Sequence, residues 1–150
     1  MKTVLPLAAS LLAAVLAASS PARADDACLP EIRDAWLRQP PMAMPMLAGF
    51  ARIENGCDRP LAVVSAHSEA FGSVELHETT VVDGVSRMRP VPHLALAPGA
   101  SVELKPGGLH LMLMRPVEAL APGDTVPVSL RLEDGRSLEA RFEVRAAASR

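Results

Sequence analysis

The sequence predicts an all-β domain, folded as a Greek-key β-sandwich or barrel of about eight to nine strands. Short runs of alternating apolar and polar residues recur along most of the chain, which is typical of strands with one buried face. Turn-forming residues separate these runs, and no segment has the apolar period of an amphipathic helix. These observations favour a sheet built from short strands over a helical or mixed fold.

Nine segments carry the strand pattern. They are residues 32–38, 46–54, 61–67, 73–82, 85–89, 101–105, 109–114, 125–133 and 137–144. Turn signals such as Asp83-Gly84, Pro98-Gly99 and Asp134-Gly135 lie between them. Gly, Pro, Asn and Asp at these places favour chain reversal, so the sequence predicts many short connections.

The first 24 residues have the composition of a cleaved targeting signal. Lys2 supplies a positive start, residues 4–18 are apolar, and Ala22-Arg23-Ala24 is a small-x-small cleavage sequence. We expect cleavage near Ala24 and a single mature domain over residues 25–150. The apolar stretch is shorter than the roughly 18 residues of a membrane-spanning helix, so the sequence favours an exported, non-integral protein over one held by an uncleaved anchor.

Charge argues against several classes of partner. The chain has 15 basic and 17 acidic residues; removing Lys2 and Arg23 lowers the basic count to 13, and the mature net charge becomes −4. A negative domain lacks the basic surface that nucleic acids and anionic lipids require. It mildly favours binding of cations.

The two cysteines, Cys28 and Cys57, predict one disulfide, because exported proteins fold under oxidising conditions. The alternative is a redox pair or a thiolate copper site, which the wide spacing disfavours, since such chemistry usually uses C-x-x-C. Lipid attachment at Cys28 is also disfavoured, because Asp25 and Asp26 precede it where small and apolar residues would be needed.

Alternation along two predicted strands separates apolar from metal-ligating side chains. In residues 108–114, one face carries Leu109, Leu111 and Leu113, and the other carries His110, Met112 and Met114. In residues 73–82, His77 likewise lies opposite the row of Val74 and Leu76. The leucines are expected to fill the core, so the histidines and methionines should face away from it.

The Asp83-Gly84 pair predicts a two-residue type I′ hairpin between residues 73–82 and 85–89. In this register Thr79 faces Met88, so His77 and Met88 are diagonal neighbours on one face, with backbones roughly 7–8 Å apart. A three-residue loop would shift the parity by one and turn Met88 to the other face. The position of Met88 therefore depends on the turn.

His77, Met88, His110 and Met112 have the spacing H-x10-M-x21-H-x-M. Imidazole and thioether donors, with no carboxylate or thiolate, suit Cu(I) better than Ca²⁺, Mg²⁺ or Zn²⁺. Thioethers also bind without competition from protons. We therefore predict a Cu(I) site with these four residues as ligands.

Other methionines are candidates for accessory ligands. Met114 shares a face with Met112, and Met42, Met44 and Met46 follow one another in Pro40-Pro41-Met-Ala-Met-Pro-Met46. The functional interpretation is a spare ligand at Met114 and a Cu(I) relay or docking loop at residues 42–46. The alternative is ordinary apolar packing, a common role of Met.

The four-residue motif resembles that of the periplasmic copper chaperone family PCu(A)C. The resemblance runs from Asp34-Ala35-Trp36 through Gly123-Asp124-Thr125-Val126-Pro127. It includes Val74-Glu-Leu-His-Glu-Thr79 and Lys105-Pro-Gly-Gly-Leu-His-Leu-Met-Leu-Met114. It implies a cupredoxin-like β-barrel in the periplasm that binds Cu(I) through the four motif residues. It also implies delivery of copper to the Cu(A) centre of a haem-copper oxidase during assembly.

The leading hypothesis is thus a monomeric copper carrier without enzymatic activity. Its partners would be a copper-accepting oxidase subunit and possibly another copper chaperone. The alternatives are a copper buffering or resistance protein, a redox-active copper protein, and a metal-free β-sandwich with a structural role. A blue-copper centre needs a Cys thiolate, and neither cysteine lies within the motif.

Overall fold

The computed structural model describes residues 28–42 and 44–147. The predicted targeting signal, residues 1–24, lies outside the described residues. Within the described part the structure is all-β, as predicted, and contains no helix long and apolar enough to cross a membrane.

Ten strands follow one another along the chain. They are β1 Glu31–Arg38, β2 Met46–Glu54, β3 Leu61–His67, β4 Phe71–Val82, β5 Val85–Pro90, β6 Leu94–Leu96, β7 Ser101–Leu104, β8 Leu109–Pro116, β9 Thr125–Leu132 and β10 Ser137–Arg145. The nine predicted segments are all present, with bounds that differ by at most two residues.

Seven of the strands close into a mixed barrel. Their order is β4-β8-β2-β1-β10-β9-β3, and β3 pairs with β4 to complete the ring. β1 and β10 run parallel, whereas the other pairs are antiparallel. β5, β6 and β7 are not part of this ring; they pair with β4, β3 and β2 respectively. The predicted sandwich-or-barrel class is therefore confirmed as a barrel.

The barrel interior holds the apolar residues that the alternation assigned to it. Val74 and Leu76 of β4 and Leu111 and Leu113 of β8 are buried in one cluster with side chains from the other barrel strands. Successive side chains of a strand point to opposite faces. The residues that alternate with these apolar ones, including His77, His110 and Met112, therefore lie on the outer face. The site thus lies on the outside of a packed core.

Strand β6 was not predicted. It comprises only Leu94–Leu96 and pairs with β3 at the end of the strand order. Pro90 and Pro92 precede it, and three residues are too few to display a period of two. Its two leucines nevertheless belong to the core cluster.

Trp36, the only Trp of the sequence, is half-buried and does not belong to the core cluster. A bulge between Arg33 and Trp36 shifts the register of β1, so Leu37 points inward and Trp36 outward. Trp36 packs on Phe50, with ring centroids 4.7 Å apart, and Arg38 and Arg145 lie over the two rings. The barrel therefore has a small aromatic cluster on its outer face.

The predicted disulfide is present between Cys28 and Cys57. It ties the start of the described chain to the turn after β2. Arg136 adds a second tie, because its guanidinium donates a hydrogen bond to the Cys28 carbonyl oxygen.

Candidate metal centre

The two motif histidines lie directly opposite each other on neighbouring strands. His77 of β4 pairs with His110 of β8, and one step along the same face Glu75 pairs with Met112. The ring centroids of His77 and His110 are 6.2 Å apart. Two imidazoles bound to one ion by bonds of about 2.0–2.1 Å hold their centroids at most roughly 6.5 Å apart. The two rings are therefore close enough to share an ion.

His110 is buried although it lies on the outer face, with only 5% of its surface exposed. Its Nδ1 lies 2.8 Å from the carbonyl oxygen of Gly108. A carbonyl only accepts hydrogen bonds, so Nδ1 carries the proton and Nε2 has the free lone pair. The same oxygen also accepts the Thr79 backbone N–H, which fixes the β7–β8 turn against β4. The ring is thus held with one nitrogen ready to bind a metal.

His77 is arranged in the same way through a carboxylate. Its Nε2 lies 2.9 Å from Oε2 of Glu75. In the neutral ring this carboxylate accepts a hydrogen bond from Nε2–H, and the lone pair is then on Nδ1. Nδ1 is buried and has no hydrogen-bond partner in the described part of the chain. A buried nitrogen without a partner is costly, and a bound cation would satisfy it. The hydrogen bonds to Glu75 and Gly108 therefore select, in each neutral ring, the tautomer whose lone pair is available to a metal.

Met112 and Met88 lie on either side of the histidine pair. Met112 is two residues from His110 on β8, half-buried and on the same face. Met88 lies opposite Thr79 on β5, and His77 lies opposite Pro90; the predicted two-residue hairpin register is confirmed. Met88 is 53% exposed and is the most peripheral of the four. The structure thus brings three of them close together and puts Met88 at the rim.

The accessory candidates are grouped around Met112. Met114 lies opposite Met46 in the β2–β8 pairing, next to the pair of Met112 and Ala48. Met42 and Met44, in the connection between β1 and β2, are 72% and 48% exposed. A surface groove of about 810 Å³ has Met42, Met46 and Met112 in its lining. Thioethers therefore continue from the histidine pair along one side of the barrel.

The donor set defines which ions fit. No group of three or more His, Cys, Asp or Glu side chains is placed to hold a metal within residues 28–42 and 44–147. Imidazoles and thioethers are the soft and borderline donors on this face, and such donors favour soft, low-coordinate Cu(I) over the oxygen-seeking Ca²⁺ and Mg²⁺.

Glu75 and Gly108 are site residues that the sequence analysis did not identify. Glu75 lies on the same strand face as His77, two residues away, so the alternation contained its signal. The role of the Gly108 carbonyl depends on a turn conformation that no residue pattern specifies.

Comparisons with known proteins agree with this barrel and its outer-face site. Residues 31–144 match the family described as "Putative lipoprotein LpqE-like". The chain therefore belongs to the LpqE-like family, which is of the PCu(A)C type.

Two proteins are similar to this chain in sequence, each over part of its own length. One is "Putative lipoprotein Lxx21020" of Leifsonia xyli subsp. xyli, 32% identical over 106 residues, which are 70% of this chain and 63% of the relative. The other is the uncharacterized protein RP573 of Rickettsia prowazekii, 31% identical over 88 residues, 58% of this chain and 49% of the relative. The chain thus spans between about half and two thirds of the length of these relatives.

Solved structures match the fold. The Cu(I)-DR1885 solution structure from Deinococcus radiodurans is 30% identical, with a TM-score of 0.62, covering 81% of this chain and 83% of that one. Apo-DR1885 is 27% identical, with a TM-score of 0.60 and 97% coverage of both chains. The apo PCuAC domain from PmoF1 has a TM-score of 0.64 at 23% identity, covers 77% of this chain and 92% of that chain, and shows the fold alone. The barrel is therefore the cupredoxin-like fold of PCuAC domains.

Proposed function

We propose that this protein is an exported Cu(I) carrier that binds one ion through His77, Met88, His110 and Met112. The observation that carries the proposal is the facing pair of imidazoles, in which a hydrogen bond at one nitrogen of each ring selects the neutral tautomer with its lone pair on the other nitrogen. Met112 and Met88 flank this pair and supply the soft donors that select Cu(I).

The similarity to the Cu(I)-loaded DR1885 structure supports copper as the cargo. The family description and the Leifsonia relative, both named as lipoproteins, support export, as does the composition of residues 1–24. In this chain the sulfur of Cys28 forms a disulfide with Cys57. We therefore do not propose that a lipid is attached to Cys28. We assign the protein to the periplasm.

The types of ligand favour a copper carrier over a redox-active copper protein. A blue-copper electron-transfer centre requires a thiolate, and both cysteines form the disulfide. Met88, at the exposed rim of the site, instead offers a ligand that can leave early while an acceptor's ligand enters. The acceptor that the PCu(A)C resemblance implies is a copper-binding subunit of a haem-copper oxidase, and the protein itself catalyses no reaction.

An anaerobic titration with Cu(I) against a colorimetric chelator tests binding. We expect one tightly bound ion per wild-type chain and a loss of affinity of about tenfold or more in Met112→Leu, because a ligand is removed while volume is conserved. Met114→Leu is the matched control, since Met114 occupies the next outward position of β8 and should leave the affinity unchanged. Equal affinities of Met112→Leu and wild type would contradict the proposed site.

A further inference from the structure

The groove beside Met112 suggests how Cu(I) enters and leaves. Its lining includes Met42 from the β1–β2 connection, Met46 from the start of β2 and Met112 from β8. Three thioethers thus come from three separate segments, and one of them belongs to the proposed four-residue site. Resting on the proposed function, we propose that Met42 and Met46 form a thioether path that passes Cu(I) to and from Met112.

The positions of the path residues are fixed by the backbone. Met46 pairs with Met114 and Ala48 with Met112, so Met46 and Met112 are diagonal neighbours on one face, about 7–8 Å apart at the backbone. Hydrogen bonds from Gln39 N–H to the Arg145 carbonyl and from Arg115 N–H to the Pro45 carbonyl anchor the two ends of the connection. Met42 lies between these two bonded positions in the sequence and lines the groove.

Burial increases along the path, from Met42 at the surface to His110 in the proposed site. Met42 is 72% exposed, whereas Met46 and Met112 are half-buried, and His110 is 5% exposed. An exposed methionine contributes little to stability, because the benefit of an apolar side chain comes from removing it from water. A thioether in that position does, however, present a soft, proton-free donor to solvent.

The path has fewer donor groups than the proposed site, and it should therefore bind Cu(I) with lower affinity. Met42 and Met46 provide two sulfur donors and no imidazole, so they hold Cu(I) more weakly than two imidazoles and two thioethers. Cu(I) remains monovalent throughout; each step forms one Cu–S bond before an earlier Cu–ligand bond breaks. The path should therefore alter the rate of copper exchange and leave the equilibrium affinity unchanged.

Kinetics of Cu(I) removal test this path. The loaded protein is mixed anaerobically with excess of a small bidentate Cu(I) chelator, and removal is followed by absorbance. In Met42→Leu/Met46→Leu we expect removal to slow about tenfold, which corresponds to about 1.4 kcal/mol of barrier, with the affinity in the competition titration unchanged. Met42→Leu alone, at an exposed position that cannot disturb folding, should also slow removal.

The matched control is Met44→Leu. It changes an exposed methionine of the same connection that does not line the groove with Met112. This variant should release Cu(I) at the wild-type rate. Equal rates in wild type and Met42→Leu/Met46→Leu, no effect of Met42→Leu, or equal slowing in the control would overturn the path. Failure of the wild type to bind Cu(I) would overturn the proposed function as well.

Discussion

At the scale of single residues, the site depends on which ring nitrogen carries the proton. His110 Nδ1–H donates a hydrogen bond to the Gly108 carbonyl oxygen, and His77 Nε2–H donates one to the Glu75 carboxylate. Each hydrogen bond orients a ring and makes its other nitrogen a better donor, which is the usual role of groups behind a metal-binding histidine. Glu75 is thus proposed as a positioning residue for His77.

Glu75→Gln tests this role. Because an amide is a weaker hydrogen-bond acceptor than a carboxylate and allows His77 to reorient, we expect Cu(I) affinity to fall about tenfold or more, measured by anaerobic chelator competition. Glu78→Gln is the control: Glu78 lies on the same strand but the opposite face, where it pairs with Arg89. An equal loss in both variants would indicate a general charge effect and contradict positioning.

The sequence predicted the direction of these side chains but not their burial. Alternation around Leu111 and Leu113 is a local property, and it correctly turned His110 and Met112 away from the core. The burial of His110 depends on packing against neighbours distant in sequence, and the Gly108 carbonyl on a turn geometry. Neither property leaves a periodic signal in residues 109–116.

At the scale of secondary-structure elements, the β4–β5 hairpin decides whether Met88 belongs to the site. Its two turn residues, Asp83 and Gly84, both have positive φ, 52° and 77°, as a type I′ turn requires. Glycine adopts this conformation without steric cost, and Asp tolerates it better than most residues. The turn therefore fixes the register that puts Met88 on the face of His77.

Exchange of Met88 and Arg89, in Met88→Arg/Arg89→Met, moves the thioether to the other face of β5, because successive side chains of a strand alternate, while the turn and the composition stay the same. We expect Cu(I) affinity to fall to that of Met88→Leu. Wild-type affinity in the exchanged variant would show that Met88 is not a ligand.

Elements that departed from the prediction did so for identifiable reasons. β6 is too short for its pattern to be recognised, and it is a strand because it pairs with residues 61–63 of β3, ahead of the pairing of Ala66 with β4. The bulge in β1, where Asp34 has a φ of 52°, inverts the facing of the residues after it. Trp36 consequently packs outside on Phe50, which simple alternation from residue 32 does not anticipate.

At the scale of the whole molecule, the copper site and the disulfide lie in separate parts of the fold. The Cys28–Cys57 bond ties the described N-terminal end to the turn after β2, whereas the site lies on β4, β5 and β8. The parallel pairing of β1 with β10 closes the barrel between its two termini. The disulfide should therefore stabilise the barrel without shaping the site.

Cys28→Ser/Cys57→Ser tests this separation. Opening a loop with a sequence separation of 29 residues should cost about 3–4 kcal/mol in the chain-entropy model, seen as a lower melting temperature and a lower free energy of unfolding. Cu(I) affinity at a temperature where the variant remains folded should equal that of wild type. Loss of Cu(I) binding by the folded variant would instead implicate the cysteines in the site.

X-ray absorption at the copper edge of the Cu(I)-loaded protein tests the proposed ligand set directly. We expect both nitrogen and sulfur neighbours around copper, from two imidazoles and two thioethers, and loss of the sulfur neighbours in Met88→Leu/Met112→Leu. The variant Met44→Leu/Met114→Leu should give the wild-type spectrum. A first shell without sulfur in the wild type, or sulfur that persists in Met88→Leu/Met112→Leu, would contradict the four-residue site.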